Sequence, residues 1–129
     1  MLTRIIPCLV LLTTIQCGEP EPEPSQSDVL ADACQDSCLK VLCSGVVDPE
    51  GDPNEMCRTS CAERVDAVLA DGDACGDAYL RLHECLTAAN CDEFQAWLVV
   101  EPDRVCTAQE TVFASECPNV EVHDEMSAP

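Results

Sequence analysis

The segment Cys34-Gln35-Asp36-Ser37-Cys38 and its near repeat Cys57-Arg58-Thr59-Ser60-Cys61 decide the fold of this 129-residue chain. In each segment two cysteines lie four residues apart, a spacing that places both thiols on one face of an α-helix. Two such helices lying antiparallel can be joined by two bridges, Cys34–Cys61 and Cys38–Cys57. The pattern therefore predicts a helical hairpin stapled by two disulfides.

This arrangement resembles the twin Cys-x-x-x-Cys helical hairpins of small oxidised all-α proteins. The resemblance covers residues 34–61 only. It implies a stapled pair of helices, and it brings no activity, cofactor or partner with it.

The remaining cysteines extend the framework. Beyond Cys17 the chain has ten cysteines, an even number that predicts five disulfides in an oxidising compartment. They are Cys34, Cys38, Cys43, Cys57, Cys61, Cys75, Cys85, Cys91, Cys106 and Cys117. A ladder scheme adds Cys43–Cys91, Cys75–Cys117 and Cys85–Cys106 to the two hairpin bridges. A nested scheme pairs Cys34–Cys75, Cys38–Cys61, Cys43–Cys57, Cys85–Cys117 and Cys91–Cys106. The sequence leaves both open, and in both, distant helices are cross-linked.

Apolar periodicity and breakers predict an all-α domain of four to five short helices and no sheet. The predicted helices are 28–43, 54–70, 73–89, 92–100 and 102–117. Ser27 or Asp28 is expected to cap the first helix, Asn54 the second and Asp73 the third. The domain so defined spans 28–117, and residues 118–129 are expected to be a disordered tail.

The N-terminal region has the pattern expected of an export signal. Arg4 precedes the apolar run 5–15, which suits a secretory signal and is too short to span a membrane. Residues 1–16 are therefore read as a signal peptide. Residues 17–27, which follow it, are read as a tether whose Glu/Pro repeat favours extended geometry.

These features resemble a bacterial lipoprotein signal over residues 1–18. Together with the cysteine pattern, they resemble the small cysteine-rich lipoproteins of some Gram-negative bacteria. The resemblance implies that Cys17 is the lipidated first residue of the mature protein and that this protein is anchored on the periplasmic or outer surface of the cell envelope. The resemblance carries no known activity over, and we expect a binding or structural role. Gln16 departs from the small residue preferred before the cysteine, and it favours the alternative of a freely secreted effector or inhibitor.

The composition restricts the partners. Loss of residues 1–16, which hold one basic residue and no acid, changes the net charge from −19 to −20. Such a chain repels phosphate backbones, so nucleic-acid binding is excluded, and a protein or ligand partner is expected to be basic if charge selects it. One Trp, one Tyr and two Phe make a thin core, so the cysteines are expected to carry much of the stability.

Little in the sequence predicts catalysis or metal binding. Zinc knuckles and a Cys-x-x-Cys redox pair are absent. Oxygen-bearing side chains occupy every second position of one loop, as Ca²⁺ ligands would, at Asp48, Glu50, Asp52 and Asn54. The loop leaves a calcium-dependent adhesion module as a further alternative. The glycine and the bidentate acid of an EF-hand are missing from it. His83 is expected to be half-exposed. We therefore expect no enzyme, no metal and no cofactor.

Overall fold

The computed structural model describes residues 22–44 and 51–122. Within those ranges it is helical without strands, which confirms the all-α, disulfide-stapled class. The helices are α1 (Gln26–Cys38), α2 (Lys40–Ser44), α3 (Pro53–Asp71), α4 (Asp73–Ala88), α5 (Cys91–Leu98) and α6 (Thr107–Glu116).

Side-chain caps begin α1, α3 and α5, and the caps of α1 and α3 differ from the predicted ones. Ser25, rather than Ser27 or Asp28, caps α1: its hydroxyl accepts from the Asp28 amide at 3.2 Å, and the Asp28 carboxylate accepts from the Ser25 amide at 3.1 Å. Asp52 caps α3 by accepting from the Asn54 amide at 2.9 Å, with Pro53 as the first helical residue. Asp28 and Asn54 therefore lie inside the first turns of α1 and α3, where the backbone amides have no partner within the helix.

The first predicted helix is divided into α1 and α2 at Leu39, whose amide closes α1 on the Gln35 carbonyl. The junction of α3 and α4 is a single glycine. Gly72 has φ 110° and ψ 177°, a conformation that essentially only glycine adopts, so Asp73 is the first residue of α4 rather than its cap.

The last predicted helix begins five residues later than expected. The connector between α5 and α6 holds three non-glycine residues with positive φ, namely Val100, Asp103 and Cys106 at 57°, 62° and 64°. Left-handed residues cannot continue a right-handed helix, so Pro102 lies in a turn and α6 starts at Thr107.

The five bridges follow the ladder scheme, and the nested scheme is not observed. They join Cys34–Cys61, Cys38–Cys57, Cys43–Cys91, Cys75–Cys117 and Cys85–Cys106, with Cα–Cα distances of 5.0–5.9 Å. The first two staple α1 to α3, the third joins α2 to α5, and the last two fasten the α6 region to α4. Every helix is therefore covalently tied to another.

Helix α4 is the centre of the packing and contacts α1, α3 and α6. Its buried face carries Tyr79, Leu82 and Leu86, which join the buried Phe94, Trp97 and Phe113 in one core. All four aromatic side chains of the chain's composition are thus inside.

The segment 118–122 differs from the predicted disordered tail. The Asn119 amide donates to the Asp71 carboxylate at 3.1 Å, and Arg64 Nη1 donates to the Glu121 carbonyl at 2.7 Å. Val120 and Val122 pack against the core. These contacts hold the segment against α3, whereas residues 123–129 lie outside the described residues.

Candidate functional site

A cavity of about 130 Å³ lies among α1, α3 and α4, next to His83. We refer to it as the His83 cavity. Its lining residues are Cys34, Cys38 and Val41 of α1 and α2, Met56, Ser60, Cys61 and Arg64 of α3, Tyr79, Leu82, His83 and Leu86 of α4, with Trp97, Phe113 and Val122.

The lining has a buried floor and a more exposed rim. The floor side chains Tyr79, Leu82, Leu86, Trp97 and Phe113 are each no more than 3% exposed. The rim follows one stripe of α3, where Met56, Ser60 and Arg64 succeed one another at intervals of four residues, and it is completed by Val122 from the C-terminal segment. Met56 is exposed and the other three are half-buried, so entry is from this side.

His83 contributes a buried polar group to the cavity. Its Nδ1 lies 2.6 Å from Ser37 Oγ on α1, and the same hydroxyl donates to the Cys34 carbonyl at 2.9 Å. A hydroxyl has one proton, so both contacts are satisfied when Nδ1–H donates to Ser37 and Ser37 donates to Cys34. The ring then carries its proton on Nδ1, and Nε2 is left as an acceptor.

The environment keeps His83 neutral. Burial lowers the pKa of His83 from 6.5 to about 3, and the positive charge of Arg64 acts in the same direction. The Tyr79 ring lies against the imidazole with a centroid distance of 4.1 Å. At neutral pH the ring is therefore an uncharged hydrogen-bonding group.

The burial of His83 contradicts the half-exposed position expected from the sequence, since the side chain is only 4% exposed. Its neighbour Glu84 suggested a solvent face. A signal was present nevertheless: His83 follows Tyr79 by four residues and precedes Leu86 by three, so it shares their helix face. Ser37 was also missed, although it follows Cys34 by three residues and shares the buried face of α1 with it.

The Ser37–His83 pair does not have the geometry of a nucleophile and its base. Ser37 is fully buried, does not line the cavity, and its hydroxyl proton is bound by a carbonyl. A histidine with a pKa of about 3 is also a poor proton acceptor near neutral pH. The arrangement is suited to accepting a hydrogen bond from a molecule in the cavity.

A second polar cluster supports the floor. Glu110 on α6 is 8% exposed, accepts from Trp97 Nε1 at 3.2 Å, and forms an ion pair with Arg104 at 2.9 Å. Arg104 also donates to the Glu101 carbonyl. This cluster fixes the Trp97 indole and the connector before α6.

The other predicted site residues have the following places. All ten bridge cysteines are paired, and Cys34, Cys38 and Cys61 border the cavity. Cys17, Asp48 and Glu50 lie outside the described residues, and so do the predicted lipidation site and two of the four predicted calcium ligands. Asp52 serves as the α3 cap. Over 22–44 and 51–122 no three His, Cys, Asp or Glu side chains group as metal ligands.

Comparison with known proteins gave no match to a family model, to a curated protein or to a solved structure. In the described part of the chain, no helix combines the length and apolar character needed to cross a membrane. Five bridges indicate an oxidising extracellular or envelope location. The chain is thus a small, disulfide-stapled all-α protein of such a compartment, with a cavity beside a buried neutral histidine.

Proposed function

We propose that this chain is a lipid-tethered binding module of the bacterial envelope that takes a small, mostly apolar ligand into the His83 cavity. The cavity is the observation that supports binding, and the segment around Cys17 supports the tether. In this proposal the protein is not an enzyme.

The cavity is large for so small a domain. Protein interiors pack as densely as organic crystals and hold few voids larger than a water molecule. Here about 130 Å³ is left open beside the chain's single tryptophan, although filling it would stabilise the core. A dry engineered cavity of about 150 Å³ binds benzene, so the volume suits a one-ring ligand.

The sequence supports the tether. Acyl chains at Cys17 would add about 0.8 kcal/mol of membrane affinity per buried methylene, and more than one chain gives durable anchoring. Between Cys17 and the α1 cap at Ser25 the chain alternates Glu and Pro, which favours an extended, charged spacer. The spacer would keep a strongly acidic domain away from anionic headgroups.

The binding claim can be tested with toluene as the probe and Trp97 as the reporter. Trp97 is the single tryptophan and lines the cavity, so toluene should change its emission and raise the unfolding midpoint. Val122→Phe, which fills the rim, should weaken toluene binding at least tenfold. Val112→Phe adds the same ring at a half-exposed site away from this cavity and should bind as the original does.

Absence of any toluene effect on emission and melting, up to the solubility of toluene, would contradict the binding claim. Equal binding by Val122→Phe and Val112→Phe would place toluene elsewhere.

The tether can be tested separately by expression in a Gram-negative host. Cys17→Ser should move the protein from the detergent phase to the aqueous phase and remove the acyl mass from the intact protein. Cys8→Ser is the matched control, because residue 8 leaves with the signal and the mature protein is unchanged. A Cys17→Ser protein that partitions as the original does would overturn the anchor.

The secreted effector or inhibitor is the second candidate, and Gln16 before Cys17 is the observation that favours it. A mature protein found in the medium without acyl mass would show that the chain is secreted and not anchored. The binding proposal for the His83 cavity is independent of this outcome.

A further inference from the structure

We infer that the His83 cavity selects a neutral, single-ring aromatic ligand that carries one hydrogen-bond donor, with phenol as the simplest probe. The inference deepens the proposed function and rests on it, because it names the class of ligand. It follows from the size of the cavity, the acceptor atom of its buried histidine and the charge on its lining.

Size and wall chemistry restrict the ligand to about one ring. The volume of about 130 Å³ is close to that of the engineered cavity that binds benzene. The floor is formed by the rings of Tyr79, Trp97 and Phe113 with the side chains of Leu82 and Leu86. Aromatic walls favour an aromatic guest in offset or edge-to-face contact.

The acceptor atom Nε2 of His83 favours a ligand that carries a hydrogen-bond donor. The Nδ1–H of His83 is directed to Ser37, and Ser37 in turn donates to the Cys34 carbonyl. A chain of hydrogen bonds in one direction polarises its members, which makes Nε2 a better acceptor. A purely apolar guest would cover His83 without offering it a hydrogen bond, whereas a phenolic hydroxyl would satisfy it.

The charges favour a neutral ligand. Among the lining residues that the structure describes, Arg64 is the one that carries a charge, so a cation that enters past it would meet a like charge. An anion would have to approach a chain with a formal net charge of −19 and lose its hydration in an apolar cavity. A neutral hydroxyl is free of both costs.

The test compares phenol with toluene by calorimetric titration of the oxidised protein and of two variants. His83→Asn keeps a nitrogen donor facing Ser37 and removes Nε2, while His83→Gln keeps a polar atom at the Nε2 position. Relative to the original, the ratio of phenol to toluene affinity should fall about five- to tenfold in His83→Asn and by less in His83→Gln. Benzoate and benzylammonium should bind at least tenfold more weakly than phenol.

A measurement on the unaltered protein guards against a variant that does not fold. Phenol should shift the ¹⁵N resonance of His83 Nε2, and toluene should leave it nearly unchanged. An unchanged affinity ratio in His83→Asn, or equal Nε2 shifts with both probes, overturns the ligand class while toluene binding keeps the proposed function intact. If neither phenol nor toluene binds, both the ligand class and the proposed function are wrong.

Discussion

Acidification should destabilise this protein through His83. The folded protein keeps the ring neutral because burial, aided by Arg64, lowers the pKa of His83 from 6.5 to about 3. The unfolded chain takes up a proton below about 6.5. Between these two pH values the unfolded state therefore binds more protons than the folded state. The contribution of His83 to the free energy of unfolding is fully present above pH 6.5 and is lost progressively as the pH falls towards 3.

The magnitude follows from the two pKa values. The slope approaches about 1.4 kcal/mol per pH unit where His83 is neutral in the folded state and protonated in the unfolded state. Lowering the pH from 7.5 to 5.0 should then remove about 2 kcal/mol from the free energy of unfolding. Solvent screening does little to reduce this value, since the side chain is only 4% exposed.

The assay is guanidinium unfolding of the oxidised protein at several pH values, with circular dichroism as the signal. Guanidinium chloride is itself a salt, so it screens the repulsion among the many carboxylates. Screening reduces the contribution of net charge to the pH dependence of the free energy of unfolding. His83→Asn is the matched control because it preserves the contact with Ser37 and cannot titrate. The difference between the two proteins isolates the histidine.

The reasoning is refuted if both proteins lose the same stability between pH 7.5 and 5.0. It is equally refuted if NMR titration of the folded protein shows His83 protonating near 6.5, the value of an exposed histidine.

Further predictions concern the junction, the connector and the bridges. Gly72→Ala should cost about 1–3 kcal/mol because φ 110° with ψ 177° strains any side chain, and an unchanged chemical-denaturation midpoint would contradict this. Glu110→Gln should cost about 1–3 kcal/mol, since Arg104 loses its carboxylate while the Trp97 indole keeps an acceptor; an unaltered melting temperature would show that the ion pair contributes nothing. Reduction of the five bridges, each worth about 2–4 kcal/mol, should collapse the helical dichroism at low salt with partial recovery at high salt, and a reduced protein that still melts cooperatively would contradict the cysteine framework.

The fold could be predicted where one residue type dictated geometry. Thiols four residues apart must share a helix face, so the hairpin of α1 and α3 was readable from the two Cys-x-x-x-Cys segments. The remaining bridges required a choice between ladder and nested pairings, and that choice depends on which helices lie side by side. Helix packing is a tertiary property, so local spacing alone left it open.

The departures have two physical causes. The position of His83 and the segment 118–122 are decided by contacts across long sequence separations, whereas the start of α6 is set by the left-handed backbone just before it. Pro102 is a good first helical residue by local rules, yet the left-handed Asp103 and Cys106 forbid a helix there. Hydrogen bonds to Asp71 and Arg64 fix a C-terminal segment that its composition alone describes as a tail.

The candidate site was even less visible in the sequence. A cavity is a volume between packed helices that side chains do not fill, and the spacing of residues in the sequence does not predict it. Only the helix-face relation of Tyr79, His83 and Leu86 carried information, because it marks the histidine as a core residue. The roles of Ser37 and Arg64 depend on α1 and α3 both lying against α4.

The most direct test of the binding account is an isotope-filtered NMR experiment on the labelled, oxidised protein with unlabelled toluene. Binding in the His83 cavity predicts nuclear Overhauser contacts from toluene protons to Trp97, Leu82 and Val122, which meet around the cavity. Val112, outside this cavity, should show none. Contacts confined to Val112 or other exposed side chains, or no contacts under saturating toluene, would contradict the account.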